Sequence, residues 1–217
     1  MENIESLAAG AAQEVREEEV VDLARELVRI PSHIGEETPI SRYLEAYFRD
    51  RGYEVDMQEA EPGRYQAIAR LRGKGGGKSL MLNGHVDNEP LPYGYKRAPY
   101  TPERDGDILY GFGLANMKAG TAAMIVAAET IRRMGIELSG DIVVCPVMGE
   151  LQGGTGTEHL LRKGIRADMA IDPEPYGAEN VITQHGGMVN IELNTFVNPE
   201  STSHGYEIDA FQKMRKI

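Results

Sequence analysis

A single cysteine serves all 217 residues, so no internal disulfide can form. That fits a reducing compartment. Cys145 itself lies in the apolar run Ile142 to Val147 and reads as a small buried hydrophobe. Positive charge is also short: 23 Lys and Arg stand against 34 Asp and Glu, a formal net charge of −11. A surface of that sign repels polyanions, which argues against nucleic acid as a partner. No run of 18 apolar residues occurs, so no membrane-spanning helix is expected. The acidic N-terminus lacks the charge pattern of a secretory signal. A phosphate loop is missing too: Gly73 to Gly77 reads as a hairpin-like turn without the strand–loop–helix setting such a loop needs. The expectation is a soluble cytoplasmic protein with no membrane partner.

What is present is enough for one domain or slightly more. The 41% hydrophobic content fills a core, and 25 Gly with 11 Pro imply many turns. Residues 1–16 read as a helical extension. Glu17 to Arg29 and Glu36 to Arg51 place apolar residues at helical spacing, the first with three glutamates where the helix dipole favours them. Pro31 and Gly52 stop them. Tyr53 to Met57, Tyr65 to Leu71, Ser79 to Leu82 and Ile108 to Tyr110 read as strands. A helix follows to about Met134, and Asp141 to Met148 is the clearest central strand. A short helix closes at Gly164; Ala167 to Asp172, Val181 to Thr183 and Met188 to Phe196 read as strands, and Glu207 to Ile217 as a helix. Strands alternating with helices predict an α/β fold: a mixed, mostly parallel sheet with helices on both faces.

In such sheets, sites gather where strands end. His85 and Asp87 follow the run Ser79 to Leu82, with Gly84 expected to let the backbone leave the strand. A neutral imidazole ligates zinc-like ions, and a nearby carboxylate orients it. Asn116, Glu150 and Glu174 also lie just past strands. His33 and His159 read as a loop and a helix-surface residue, whereas His185, in Gln184-His185-Gly186-Gly187, stands where it could approach the cleft.

Several stretches carry a resemblance. They are Leu27 to Ser32, Gly84-His85-Val86-Asp87, Tyr110-Gly111-Phe112-Gly113 with Asn116-Met117-Lys118, Glu150 with Gly153-Gly154, and Glu174-Pro175. In this order and spacing the chain, from about Val20 onward, resembles a zinc-dependent group of metallopeptidases. The group holds the aminoacylases, acetylornithine deacetylases, succinyl-diaminopimelate desuccinylases and carboxypeptidases G. The resemblance implies hydrolysis of an amide in an N-acyl amino acid or small peptide, assisted by two zinc or cobalt ions. It implies that His85 binds the first ion, Asp87 orients it, Glu174 completes its shell, and Glu150 is the general base that activates the attacking water. Asn116 falls where the family has a bridging Asp, and Leu151 where it has a Glu ligand. His204 falls near a lid His that helps stabilise the oxyanion. The implied domains are an extension over 1–16, part of a catalytic domain over 17–186, and the start of a lid over 187–217, through which family members form homodimers. A last His ligand belongs to a longer chain, so only the family's N-terminal part is represented.

Two dications about 3.5 Å apart repel by roughly 19 kcal/mol at an effective dielectric of 20. A bridging carboxylate and two flanking ones offset this, and here only Glu174 remains of the three. The expectation is therefore at most one ion, held by His85, Glu174 and the Asn116 oxygen. Three readings stay open: an amidohydrolase of impaired turnover, an inactive relative keeping one ion, and a binding module.

Overall fold

The computed structural model describes residues 4–177, 179–184, 186 and 187. Helix α1 (Ile4–Glu14) buries no residue. Helix α2 (Glu17–Arg29) turns Leu23, Ala24, Leu27 and Val28 inward. Helix α3 (Thr38–Arg49) begins with Pro39 in its first turn, where the missing N–H costs nothing, and buries Ile40, Leu44 and Phe48. Strands β1 (Glu54–Glu61) and β2 (Arg64–Leu71) form an antiparallel hairpin. Strand β3 (Leu80–His85) leads to a small separate ribbon of β4 (Glu103–Asp105) and β5 (Ile108–Tyr110). An irregular turn over Leu114–Lys118 enters helix α4 (Ala119–Arg133). Strand β6 (Ile142–Val147), helix α5 (Thr155–Arg162) and strand β7 (Met169–Ile171) complete the described elements.

The main sheet runs β1-β2-β6-β3-β7. It is mixed: β3 pairs in parallel with β6 and β7, while β2 pairs antiparallel with β1 and β6. Strand β6 is apolar throughout because both faces are covered. Ile142 and Val144 join the core of α2, α3 and α4; Val143, Cys145 and Val147 pack with Leu160 of α5 on the other side. Pro146 sits beyond Val144, the last β6 residue paired with β2, where one side of the strand has no ladder to complete.

Three expectations change. The Gly73–Gly77 segment makes no hairpin, because β6 inserts between β2 and β3; it runs beside the entry to β6, Lys74 N–H bonding the Leu138 carbonyl at 2.8 Å. Gly84 is inside β3 rather than at its exit. A Cβ there would stand 2.9 Å from Met117 Cε and 3.1 Å from Thr121 Oγ1, so its bareness lets the start of α4 seat against the strand. Val181 to Thr183 lies in no strand. The chain divides into two compact units, Met1–Ala178 and Glu179–Ile217. The expected strand over 188–196, the helix over 207–217, the lid segment from 188 onward, His185 and His204 lie outside the described residues. No described helix is long and apolar enough to cross a membrane.

Candidate metal and catalytic centre

Parallel pairing sets His85 beside Val147, so β3 and β6 end at the same rim. The loop after β3 carries Asp87, the single turn after β6 carries Glu150, the segment after β7 carries Glu174, and the irregular turn before α4 carries Asn116. Gly120 allows the approach of the Glu174 segment: a side chain there would strike the Pro173 carbonyl and hold that segment away from α4.

His85 is the hub and is 1% exposed. Its Nδ1 lies 3.0 Å from the Asp87 backbone carbonyl and 3.4 Å from Asp87 Oδ1. Bonding Nδ1–H to that carbonyl turns Nε2 toward the other loops. There Asn116 Oδ1 is 2.9 Å away, Glu174 Oε2 3.6 Å and Glu150 Oε2 3.8 Å. The sheet thus gathers His85, Asn116, Glu150 and Glu174 around one nitrogen. Below it, the His85 carbonyl accepts the Thr121 hydroxyl at 3.0 Å.

Asp87 faces two ways. Besides flanking His85, its carboxylate accepts the backbone N–H of Glu150 at 3.1 Å and of Leu151 at 3.0 Å. It therefore anchors the turn that carries Glu150. Burial acts to raise the Asp87 pKa, but His85 and those two N–H groups outweigh it and hold the carboxyl below its ordinary value. Burial likewise opposes a charge on His85, and the carboxylates of Asp87, Glu150 and Glu174 win, raising its pKa. Glu174 and Asp172 are both raised, chiefly by burial.

Ligand atoms around a tetrahedral zinc stand about 3.4 Å apart, given bond lengths of about 2.1 Å. Around Nε2, the Glu174 oxygen at 3.6 Å falls near that spacing and the Asn116 oxygen at 2.9 Å falls inside it, so the chemistry of the donor set fits one ion at most. It does not suit two. Among the described residues no three His, Cys, Asp or Glu side chains are arranged to hold an ion; the third donor here is a neutral amide. Leu151 offers no donor atom, and the Asp87 oxygens are taken by the backbone.

Two further groups were not read from the sequence. Asn88, 3% exposed, donates from Nδ2 to the Asn116 carbonyl at 3.0 Å, and its own N–H bonds the Ser32 carbonyl at 2.8 Å. Its place next to Asp87 is the only local signal. On β2, Arg64 pairs with buried Glu37 and donates to Gln152 Oε1 at 2.6 Å. Gln66 accepts Met148 N–H at 3.3 Å and donates to the Gly156 carbonyl at 3.0 Å, bracketing the turn that holds Glu150.

A family model described as peptidase family M20/M25/M40 matches residues 81–214. The N-formyl-4-amino-5-aminomethyl-2-methylpyrimidine deformylase of Bacillus subtilis is 32% identical over 73% of this chain and 39% of its own length. The succinyl-diaminopimelate desuccinylase of Wolinella succinogenes is 29% identical over 86% of this chain and 49% of its own. Among solved structures, a Staphylococcus aureus tripeptidase superposes with a TM-score of 0.62 at 25% identity, over 73% of this chain and 43% of that one. The chain spans less than half the length of these relatives.

Proposed function

The chain belongs to peptidase family M20/M25/M40, and from that premise we propose that it carries the water-activating part of a metal-dependent amidohydrolase acting on small N-acyl amines, N-acyl amino acids or short peptides. The family is metal-dependent. The observation that carries the reading is the convergence of Asn116, Glu174 and Glu150 oxygens within 3.8 Å of His85 Nε2. His85, Glu174 and the Asn116 amide oxygen would hold one zinc or cobalt ion. Such an ion supplies positive charge that polarises an amide carbonyl and makes water more acidic near neutral pH.

The chain's own groups do the rest. Glu150, whose side chain is about half exposed at 52%, takes a proton from the attacking water as its oxygen bonds the carbonyl carbon. It returns that proton to the nitrogen as the C–N bond breaks, releasing acid and amine. Asp87 keeps the turn bearing Glu150 in place through two backbone bonds. His204 would assist at the oxyanion, and residues 187–217 would mediate a homodimer. With a single cysteine and so no internal disulfide, a cytoplasmic setting is part of the same reading.

The neutral Asn116 and Leu151 favour a second reading, a relative of low or lost turnover that keeps a single ion. Metal analysis after dialysis against zinc, with hydrolysis of an N-formyl and N-acetyl panel, tests both. Expected are one zinc per chain, lost in His85→Ala, and turnover lost in Glu150→Gln with zinc retained. Asn116→Asp with Leu151→Glu raises zinc affinity tenfold or more. Two tightly held ions in the native chain, or zinc uptake indifferent to His85→Ala, overturns the proposal; one ion without hydrolysis of any substrate selects the second reading.

A further inference from the structure

Asn116 is a donor without a charge. A carboxylate is drawn to a cation over a distance, whereas an amide oxygen offers only a dipole and contributes where the fold has already aimed it. The turn that carries Asn116 does not aim it alone. Asn116 (φ −138°, ψ 87°) and Met117 (φ −129°, ψ 36°) both leave the helical range. Two backbone bonds close the turn around them: Lys118 N–H to the Gly113 carbonyl at 2.9 Å, and Ala119 N–H to the Leu114 carbonyl.

Asn88 meets that turn from the loop after β3. It is buried, and its Nδ2 donates to the Asn116 carbonyl at 3.0 Å. Its own backbone is held on both sides. The N–H bonds the Ser32 carbonyl at 2.8 Å, and the carbonyl accepts Ile34 N–H at 3.1 Å, which pairs the loop in parallel with the exit of α2. Ser32 is buried and fixed in turn, its hydroxyl donating to the Val86 carbonyl at 2.6 Å. A Cβ on Gly113 would fall 2.3 Å from Asn88 Nδ2, so the bare backbone there is what lets the amide reach the turn. A side chain of this shape ending in two acceptors, as an ionised Asp does, would set oxygen against oxygen; the position calls for an amide. Contacts therefore run from the end of α2 through Ser32 and Asn88 to Asn116, whose Oδ1 stands 2.9 Å from His85 Nε2.

We propose that Asn88 is a positioning residue of the centre: it fixes the Asn116 amide oxygen opposite His85 Nε2, and the third donor of the single ion depends on it. The inference rests on the single-ion reading for its consequence, but the zinc-free chain tests the placement by itself. Asn88→Ala, Asn116→Ala and the double variant are each titrated with zinc against a competing chelator. Groups that orient a metal ligand change affinity about 10- to 100-fold when removed. Expected is a loss of about tenfold or more in Asn88→Ala, a loss of at least that size in Asn116→Ala, and no further loss when the two are combined. A residue that merely holds the fold together would weaken both backgrounds alike. In the zinc-free chain, the side-chain amide signal of Asn116 is identified in nitrogen-15 NMR by its disappearance in Asn116→Ala. That signal is expected to shift and broaden in Asn88→Ala. Asn88→Leu, which keeps the branched shape and removes the donor, gives the same readings should Asn88→Ala fail to fold. Zinc affinity indifferent to the folded Asn88 variant, a loss repeated in full in the Asn116→Ala background, or an unmoved Asn116 signal overturns the assignment. No zinc uptake with a displaced Asn116 signal removes the ion reading and leaves the tether; zinc held through His85 and indifferent to Asn88 does the reverse.

Discussion

Lys118 is fully buried, and its ammonium donates to the carbonyls of Leu27 and Ile30, each at 2.9 Å. Those carbonyls end α2, so the side chain joins α2 to the turn that presents Asn116. Burial pushes its pKa from 10.5 down to about 7. With the folded value below the unfolded one, the unfolded chain holds the extra proton between these limits. Stability therefore rises with pH across that window, by up to about 1.4 kcal/mol per unit. Urea midpoints at pH 7.5 and 9.5 check this: the native chain gains stability and Lys118→Met lacks the gain. A flat native profile refutes it. At this scale the sequence was informative wherever a polar residue followed an apolar run, which is how His85, Glu150 and Glu174 stood out. It gave no partner for Lys118 or Asn88, because those partners are backbone carbonyls far along the chain and no side-chain pattern marks a carbonyl.

Strand β2 acts on the centre without reaching it. Glu37, 0% exposed, balances Arg64, and Arg64 and Gln66 together grip residues 148–156. Removing one partner of a buried ion pair strands the other, at a cost of about 3–5 kcal/mol. Glu37→Gln is expected to lower the unfolding free energy by less than that, because Arg64 keeps its second carboxylate partner, Glu61. Gln66→Leu is expected to cost less but to speed amide exchange selectively over 148–156, measured by mass spectrometry. Uniform exchange in the Gln66 variant would contradict the clamp. Strands followed less well, since β1 runs on to Glu61, β4 reads as loop and Val181 to Thr183 forms no strand, whereas helices followed from periodicity and from Pro and Gly stops. Connectivity did not: the segment between β2 and β3 looked like a hairpin, and only the later β6, arriving from seventy residues away in sequence, parts those strands. Gly84 was misread for a related reason, since its bareness serves a neighbour from α4 rather than its own backbone.

At the scale of the molecule, the α/β class was legible because both-face burial leaves unbroken apolar strands such as β6, whereas strand order depends on pairings that no local pattern encodes. Among the described residues β7 is an edge strand, and Met169 and Ile171 are 49% and 54% exposed there. Their register partners are Leu80 and Leu82, so both point to the α2–α4 side. Exposed apolar edges template association between copies. Light scattering against concentration is expected to show self-association of the native chain and its suppression in Met169→Lys with Ile171→Lys; identical curves would exclude the edge as its cause. One further consequence comes from the β3–β6 register. His85 faces the other loops only while it lies opposite Val147, and a slip of one residue would turn it to the opposite side of the sheet. Under the proposed single-ion reading, cation uptake would therefore report correct assembly: a chain that zips these two strands out of step would stay chemically silent, and the fraction of protein that captures an ion would count the molecules that folded in phase.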